Sequence, residues 1–283
     1  MNSFNGKVAA ITGAGSGIGR ALALQLAAEG CALALSDINE TNVAETAQLA
    51  GRSNVKITTA VVDVANREQV LQWAANVSAD HGKVNLIFNN AGVAHASTIE
   101  GSSFEDYEWI VGINFWGVVN GTKAFLPLLK QSRDGHVINV SSVFGLFAQP
   151  GMASYNATKY AVRGFTESLR MELDMTQCGV SASCVHPGSI KTDMLNNTRL
   201  SASMNKFLRT EKDVRKMVDN DIYSNTPAAA ASVILNGVRK NKRRILIGID
   251  AILFDIMARL LPVGYQWFVM RTMAMMRGTA SFK

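Results

Sequence analysis

Thr12-Gly13-Ala14-Gly15-Ser16-Gly17-Ile18-Gly19 is the stretch whose reading decides how this chain folds. Before it, Lys7–Thr12 is an apolar run of strand length; after it, Gly17–Glu29 places apolar residues at helical spacing. The octapeptide is therefore a strand-to-helix turn. Gly13, Gly15 and Gly17 relax the turn and admit a phosphate close to the backbone, Gly19 lets the helix lie tight on the sheet, and Ser16 and Ile18 complete the loop. The helix N-terminus then offers free N–H groups to an anionic pyrophosphate. A second apolar run, Ala32–Ser36, leads to Asp37, 18 positions beyond Gly19. That is close to the roughly 20 at which an acid takes the ribose hydroxyls of a bound dinucleotide. A carboxylate there repels a 2′-phosphate, and neither Ile38 nor Ser16 supplies a cation, so the expected cofactor is NAD, with NADP disfavoured.

Outward from this turn the same alternation continues. Strands are expected at Ile57–Val62, Asn85–Asn89, His136–Val140, Ser181–His186 and Arg244–Ile247. Helix-like segments lie between them, such as Arg67–His81, Phe104–Lys130, Tyr155–Met175 and Pro227–Lys240. Short apolar runs flanked by turn residues suit strands buried on both faces. The βαβα order predicts an α/β fold: one Rossmann-type domain, a doubly wound parallel sheet of about seven strands with helices on both faces. Two segments break the pattern. Ser189–Ser224 is long and polar, and follows the sixth strand at the edge where such folds bind ligands, so it is expected to be a mobile substrate loop. Residues 250–283 form an extension rich in Met and aromatics beyond a catalytic body of residues 1–249.

Composition agrees with a large buried core: of 283 residues, 48% are hydrophobic and 18% charged. Three cysteines, Cys31, Cys178 and Cys184, have no paired spacing, which argues against a disulfide framework or zinc site and for a reducing cytoplasm. No metal is expected, and His95, His136 and His186 need no catalytic role. The net charge of +6 raises nucleic acid as a partner, but the basic residues are dispersed apart from Arg239–Arg244, which reads as a solvated helix end. Met1–Lys7 is short and polar and runs directly into Val8, so no signal peptide is expected there.

Further motifs follow in order: Asp63-Val64, Asn89-Asn90-Ala91-Gly92, Asn114, Asn139-Val140-Ser141-Ser142, Tyr155-x-x-x-Lys159, and Pro187-Gly188 with Thr192. Together with Thr12-Gly13-x-x-x-Gly17-x-Gly19 they give the chain a close resemblance, over residues 7 to about 192, to the short-chain dehydrogenase/reductase family in its compact form. The resemblance implies that Asp63 and Val64 contact the adenine, and that Asn90, Ala91, Gly92, Pro187, Gly188 and Thr192 belong to the cofactor site. It also implies that Asn114 holds a proton-relaying water and that Lys159 binds the nicotinamide ribose. Ser142 is preferred to Ser141 because it precedes Tyr155 by the family's usual 13 positions. It further implies a homodimer or homotetramer.

The residues themselves carry an argument for the chemistry. Tyr155 and Lys159, four apart, project from one helix face, and an ammonium beside a phenol favours the phenolate. Tyr155 is then a general base toward an alcohol or a general acid toward a ketone, with Ser142 bonding the same oxygen. Phe144 and Phe147, following Ser142, and Met194, with Leu195, suggest a hydrophobic substrate. A catalytically silent NAD-binding regulator on the same fold is the alternative. The longest uncharged stretch of the tail, Leu260–Met270, has about 11 residues, against roughly 20 for a spanning helix, and contains Pro262 and Gly264. The tail therefore either packs over the pocket or a partner subunit, or lies in a membrane surface as a peripheral contact.

Replacing Asp37 by Ala is expected to weaken the preference for NAD and raise relative use of NADP, measured as the ratio of kcat/KM values. An unaltered protein that turns over NADP as well as NAD overturns this reading.

Overall fold

The computed structural model describes residues 1–192, 198–206 and 225–276. The first strand, β1 (Val8–Thr12), is buried along its whole length and runs into α1 (Gly17–Ala28) through the glycine turn. There follow β2 (Ala32–Asp37), α2 (Glu40–Ala50), β3 (Ile57–Val61), α3 (Arg67–His81) and β4 (Leu86–Asn89). A two-residue strand, β5 (His95–Ala96), precedes α4 (Phe104–Val111), a π-helical turn (Gly112–Trp116) and α5 (Gly117–Ser132). Next come β6 (Gly135–Val140), α6 (Ala153–Thr176), β7 (Val180–Pro187) and a second short strand, β8 (Arg199–Leu200). The chain continues as α7 (Pro227–Arg239), β9 (Arg244–Ile247), α8 (Ile249–Leu260) and α9 (Gly264–Met276).

Seven strands form one parallel sheet in the order β3-β2-β1-β4-β6-β7-β9. The order reverses between β1 and β4, so the connections leaving those two strands diverge and open a crevice at their carboxyl ends. Alternate residues serve the two faces. Ala9, Ile11, Leu33, Leu35 and Phe88 join Leu22, Leu26, Ile234 and Val238 of α1 and α7. Ala10, Ala34, Ile87 and Val137 join Trp73, Phe125, Leu129 and Leu173 of α3, α5 and α6. Trp73 meets Phe125 edge-on at 4.9 Å. Both faces are covered, which is why the strands read as continuous apolar runs.

The seven expected strands are present with ends shifted by a residue at most, and two expectations on helices need correction. Phe104–Lys130 is not one α-helix: a π-turn holding Asn114 interrupts it, because the Asn114 carboxamide is pulled across to the main chain of Val93. α2, absent from the sequence reading, is capped by Asn39, which accepts from Asn42 N. It was hard to see because it buries only Val43, Thr46 and Ala50. The small parallel pair β5–β8 ties Arg199 and Leu200 to His95 and Ala96. Most of Ser189–Ser224, including Met194 and Leu195, lies outside the described residues.

The extension folds as two helices broken at Pro262. Their inner residues Ala251, Phe254, Met257, Tyr265 and Val269 pack on Val143, Phe144, Phe147 and Leu246. No helix among the described residues is long and apolar enough to cross a membrane. The three arginines of the basic run are paired within the protein: Arg239 with Glu29, Arg243 with Asp174, Arg244 with Asp255, while Lys240 and Lys242 are exposed.

A buried polar chain crosses the sheet beneath the crevice. Asn89 Nδ2 donates to Thr122 Oγ1 and to Asn139 Oδ1, and Asn139 Nδ2 donates to Thr166 Oγ1. This links β4, β6, α5 and α6 in one network. Asn139→Ala is expected to cost about 1–3 kcal/mol, the range for leaving a buried polar partner unsatisfied. The urea midpoint should fall with little change in slope; an unmoved midpoint means the network does not stabilise the sheet.

Candidate active site

The glycine turn is zipped to the segment after β4. Thr12 Oγ1 accepts from Asn90 N and Ala91 N, both at 3.0 Å, and Asn90 Nδ2 donates to the carbonyls of Thr12 and Gly13. Two glycines are forced by this closeness. Gly13 has φ +63°, and a Cβ on Gly19 would stand 2.1 Å from the Gly13 carbonyl oxygen. Exposed Ser16 starts α1 without a side-chain cap, leaving the first-turn N–H groups directed at the crevice. Thr192 crosses above this helix end: a Cβ on Gly17 would lie 3.2 Å from Thr192 Cγ2. Ile18 is partly buried against the core.

Asp37 sits at the end of β2 with Oδ2 accepting from Gly15 N at 2.8 Å and Oδ1 from Asn39 N at 2.9 Å. Exposed Ile38 flanks it. Asp63 Oδ1 accepts from Ala65 N, and buried Val64 gives its carbonyl to Asn120 Nδ2. One cation escaped the sequence reading, which looked only at neighbours of Asp37 along the chain. Arg20, one position beyond Gly19, turns back so that Nη2 donates to the Gly15 carbonyl at 2.6 Å. Its charge is matched by Glu45 at 2.6 Å.

Farther along the crevice, Ser142 ends the β6 connection and faces Tyr155 of α6. The two adjacent serines have separate tasks: Ser141 Oγ donates to the Lys159 carbonyl at 2.8 Å, while Ser142 Oγ accepts from Phe144 N and lies beside Tyr155. Burial raises the Tyr155 pKa above its ordinary value of 10.0, and the Ser142 hydroxyl lowers it in part. Lys159 Nζ lies 5.5 Å from the Tyr155 ring centre and donates to the Val140 carbonyl at 3.1 Å. Burial pushes its own pKa down to about 8. The direction is opposite to the lowering expected from the spacing to Lys159, because Tyr155 is inside the protein and desolvation is the largest cause.

Asn114 reaches the same place from the π-turn. Its Oδ1 accepts from Val93 N at 2.8 Å, and its Nδ2 donates to Val93 O and Thr158 Oγ1, so the carboxamide fixes the strand exit and α6 together. A Cβ on Gly92 would lie 3.2 Å from Asn114 Oδ1 and 3.5 Å from Lys159 Nζ. Phe144 meets the Tyr155 ring edge-on at 6.1 Å and lies tilted against Phe147 at 5.2 Å. Phe147 is itself buried, stacked on Phe254 at 4.2 Å.

A second residue missed in the sequence is Asp250, at the head of α8. The Gly188 N–H is held by the Ile247 carbonyl, and the Ser189 N–H donates to Asp250 Oδ2 at 2.6 Å. The first turn of the extension thereby clasps the Pro187-Gly188 loop. The only signal was an acidic residue within the first turn of a helix.

The fold and this geometry define a Rossmann-type oxidoreductase. The chain belongs to the short-chain dehydrogenase family, whose profile matches residues 7–202. It is 45% identical over 269 residues to SadH of Mycobacterium tuberculosis, named as an oxidoreductase, covering 95% of this chain and 96% of that one. It is 31% identical over 261 residues to estradiol 17-beta-dehydrogenase 11 of Macaca fascicularis, covering 92% and 81% respectively. Among solved structures, a short-chain dehydrogenase/reductase of Burkholderia phymatum in complex with NAD superposes with a TM-score of 0.83 and 30% identity, covering 94% of this chain and 96% of that one.

The histidines lie in structural bonds. His95 Nδ1 meets Ser154 Oγ, His136 Nε2 meets Ser183 Oγ, and His186 Nδ1 donates to the Ser142 carbonyl. Burial holds His136 down at about 3 and His186 at about 4, against an ordinary 6.5. The unfolded chain takes up these two protons near pH 6.5, while the folded chain refuses them until far lower. Stability is thus full above pH 6.5 and drains as pH falls toward 4, by up to about 1.4 kcal/mol per pH unit for each histidine. Urea midpoints are expected to drop steadily from about pH 7 to about pH 5, and His136→Gln should flatten the drop. A constant midpoint across that range contradicts the assignment.

Proposed function

We propose that this protein interconverts a secondary alcohol and a ketone on an apolar substrate, using NAD(H). The observation that carries the reading is the buried meeting of Ser142 and Tyr155 above the Lys159 ammonium, at one end of a crevice whose other end is the open head of α1. The residues present fit a dinucleotide. The first-turn N–H groups and Gly13–Gly19 suit the pyrophosphate, Asp37 the adenosine ribose, Asp63 and Val64 the adenine, and Lys159 the nicotinamide ribose. Pro187, Gly188 and Thr192, in the loop that Asp250 anchors at Ser189, would lie beside the nicotinamide. NAD is favoured because Asp37 faces the ribose position and the nearby Arg20 is neutralised by Glu45. The NAD-bound Burkholderia relative supports the same choice.

The dinucleotide, when bound, supplies or accepts the hydride. For reduction, Tyr155 Oη gives its proton to the carbonyl oxygen while Ser142 Oγ donates a hydrogen bond to the same atom. For oxidation the phenolate takes the hydroxyl proton. Burial keeps Tyr155 protonated at neutral pH, the form needed for reduction. Oxidation therefore speeds up as pH rises. Asn114 positions the Val93 segment and α6 against the reacting atoms. Phe144, partly buried beside the Tyr155 ring, gives the substrate side an apolar character, whereas Phe147 is taken up in packing against the extension; the relative named for estradiol acts in name on an apolar molecule. Residues 1–249 carry the reaction, and the extension seals their edge. Free Cys31, Cys178 and Cys184 suit a reducing cytoplasm.

Tyr155→Phe should retain the fold and lower kcat by roughly 10²–10⁴-fold, the usual range for general acid–base catalysis. It should also abolish the alkaline rise of the oxidative rate. Stopped assays with NAD and a panel of hydroxysteroids, 3-hydroxyacyl compounds and small hydroxy acids test both claims. Near-normal turnover by the variant refutes the role of Tyr155, and faster turnover of small polar hydroxy acids refutes the apolar substrate.

A further inference from the structure

The two helices of the extension have inner faces spent on the protein and outer faces spent on nothing described. On α8 the outward residues are Ile249, Ile252, Leu253, Ile256 and Leu260, which fall at the i, i+3, i+4, i+7 and i+11 positions of one stripe. Leu260 is 75% exposed and Leu253 55%. The turn adds Val263 at 74%, and α9 adds Trp267 at 58% with Phe268. Nearly half of the exposed large apolar side chains among the described residues fall between Ile249 and Met270. A contiguous patch of this kind marks an interaction site.

The charges around the patch say what covers it. Both acids of α8 are turned away: Asp250 binds Ser189 N, and Asp255, 14% exposed, holds Arg244 and Arg259. The exposed charges of the two helices are Arg259, 59% exposed, and Arg271, whose guanidinium lies 5.1 Å from the Trp267 ring centre. Arg259 is shared with Asp255, while Arg271 lies beside Trp267; apolar stripe, interfacial tryptophan and flanking arginines make up the pattern of a helix lying in the plane of an anionic bilayer surface. A second copy of the chain fits less well, since pairing like faces would bring arginines together with no exposed carboxylate among the described residues of either face. Neither helix is long enough to span. We propose that α8 and α9 seat the protein peripherally on an anionic lipid surface, their apolar stripe sunk about 5–10 Å below the headgroups.

The test uses the full chain and needs no substrate, so it stands apart from the chemistry proposed above. Purified protein is pelleted with vesicles of phosphatidylcholine alone and of phosphatidylcholine with about one-third phosphatidylglycerol. Binding is expected to be strong only with the anionic vesicles. Ile256→Glu should lower the partition coefficient at least about tenfold, and Arg271→Gln about fivefold on anionic vesicles. Circular dichroism and size-exclusion elution should be unchanged in both variants. Protein that stays in the supernatant with both vesicles, or binds both equally, overturns the proposal. So does an Ile256→Glu variant that elutes as a smaller species while the parent ignores vesicles, which would make the face a subunit interface.

Discussion

The hydrogen bonds between Thr12 and Asn90 hold the carboxyl edge of the sheet in shape. β1 and β4 are neighbours whose connections leave in opposite senses, and without a tie the crevice between them would be free to widen. Thr12 offers one hydroxyl to two backbone donors, and the Asn90 carboxamide returns the favour to two carbonyls of the turn. This fixes the glycine turn against Gly92, and Gly92 in turn borders Asn114 and Lys159. The glycine turn and the Ser142–Tyr155–Lys159 group are thus held at a set separation by short-range bonds.

Burial then sets the electrostatics. Tyr155, Lys159, His136 and His186 are all inside the molecule, and desolvation is the first cause of the shift at each of them. Burial shifts each of them toward its neutral form, although Lys159, at about 8, is still an ammonium at neutral pH. Such a site gains from a charged ligand more than an exposed one would, because each added charge acts through a poorly screening medium.

The sequence spoke clearly where residues interact with near neighbours or through repeated pattern. Seven buried strands announce themselves as apolar runs, and Thr12–Gly19 and Tyr155–Lys159 are local motifs. It was silent where the partner is distant and ordinary. Arg20 meets Glu45 only once α1 and α2 pack side by side, and Asp250 meets Ser189 only after β9 returns the chain to the crevice. The direction of the Tyr155 shift is hidden for a related reason: spacing shows that two groups are close, but not how much water the fold leaves around them. The π-turn at Asn114 depended on a bond to Val93, which no helical periodicity encodes.

The bond from Ser189 N to Asp250 joins the extension to the loop at the mouth of the crevice. An extension added to the end of a finished domain is normally a detachable module, free to be lost, lengthened or exchanged. Here its first turn has been incorporated into the loop at the mouth of the crevice, and Phe254 has been incorporated into the aromatic row that ends at Tyr155. Displacing the helices would therefore disturb the loop and the aromatic row as well, although Ser189 and Asp250 stand 61 positions apart in the chain.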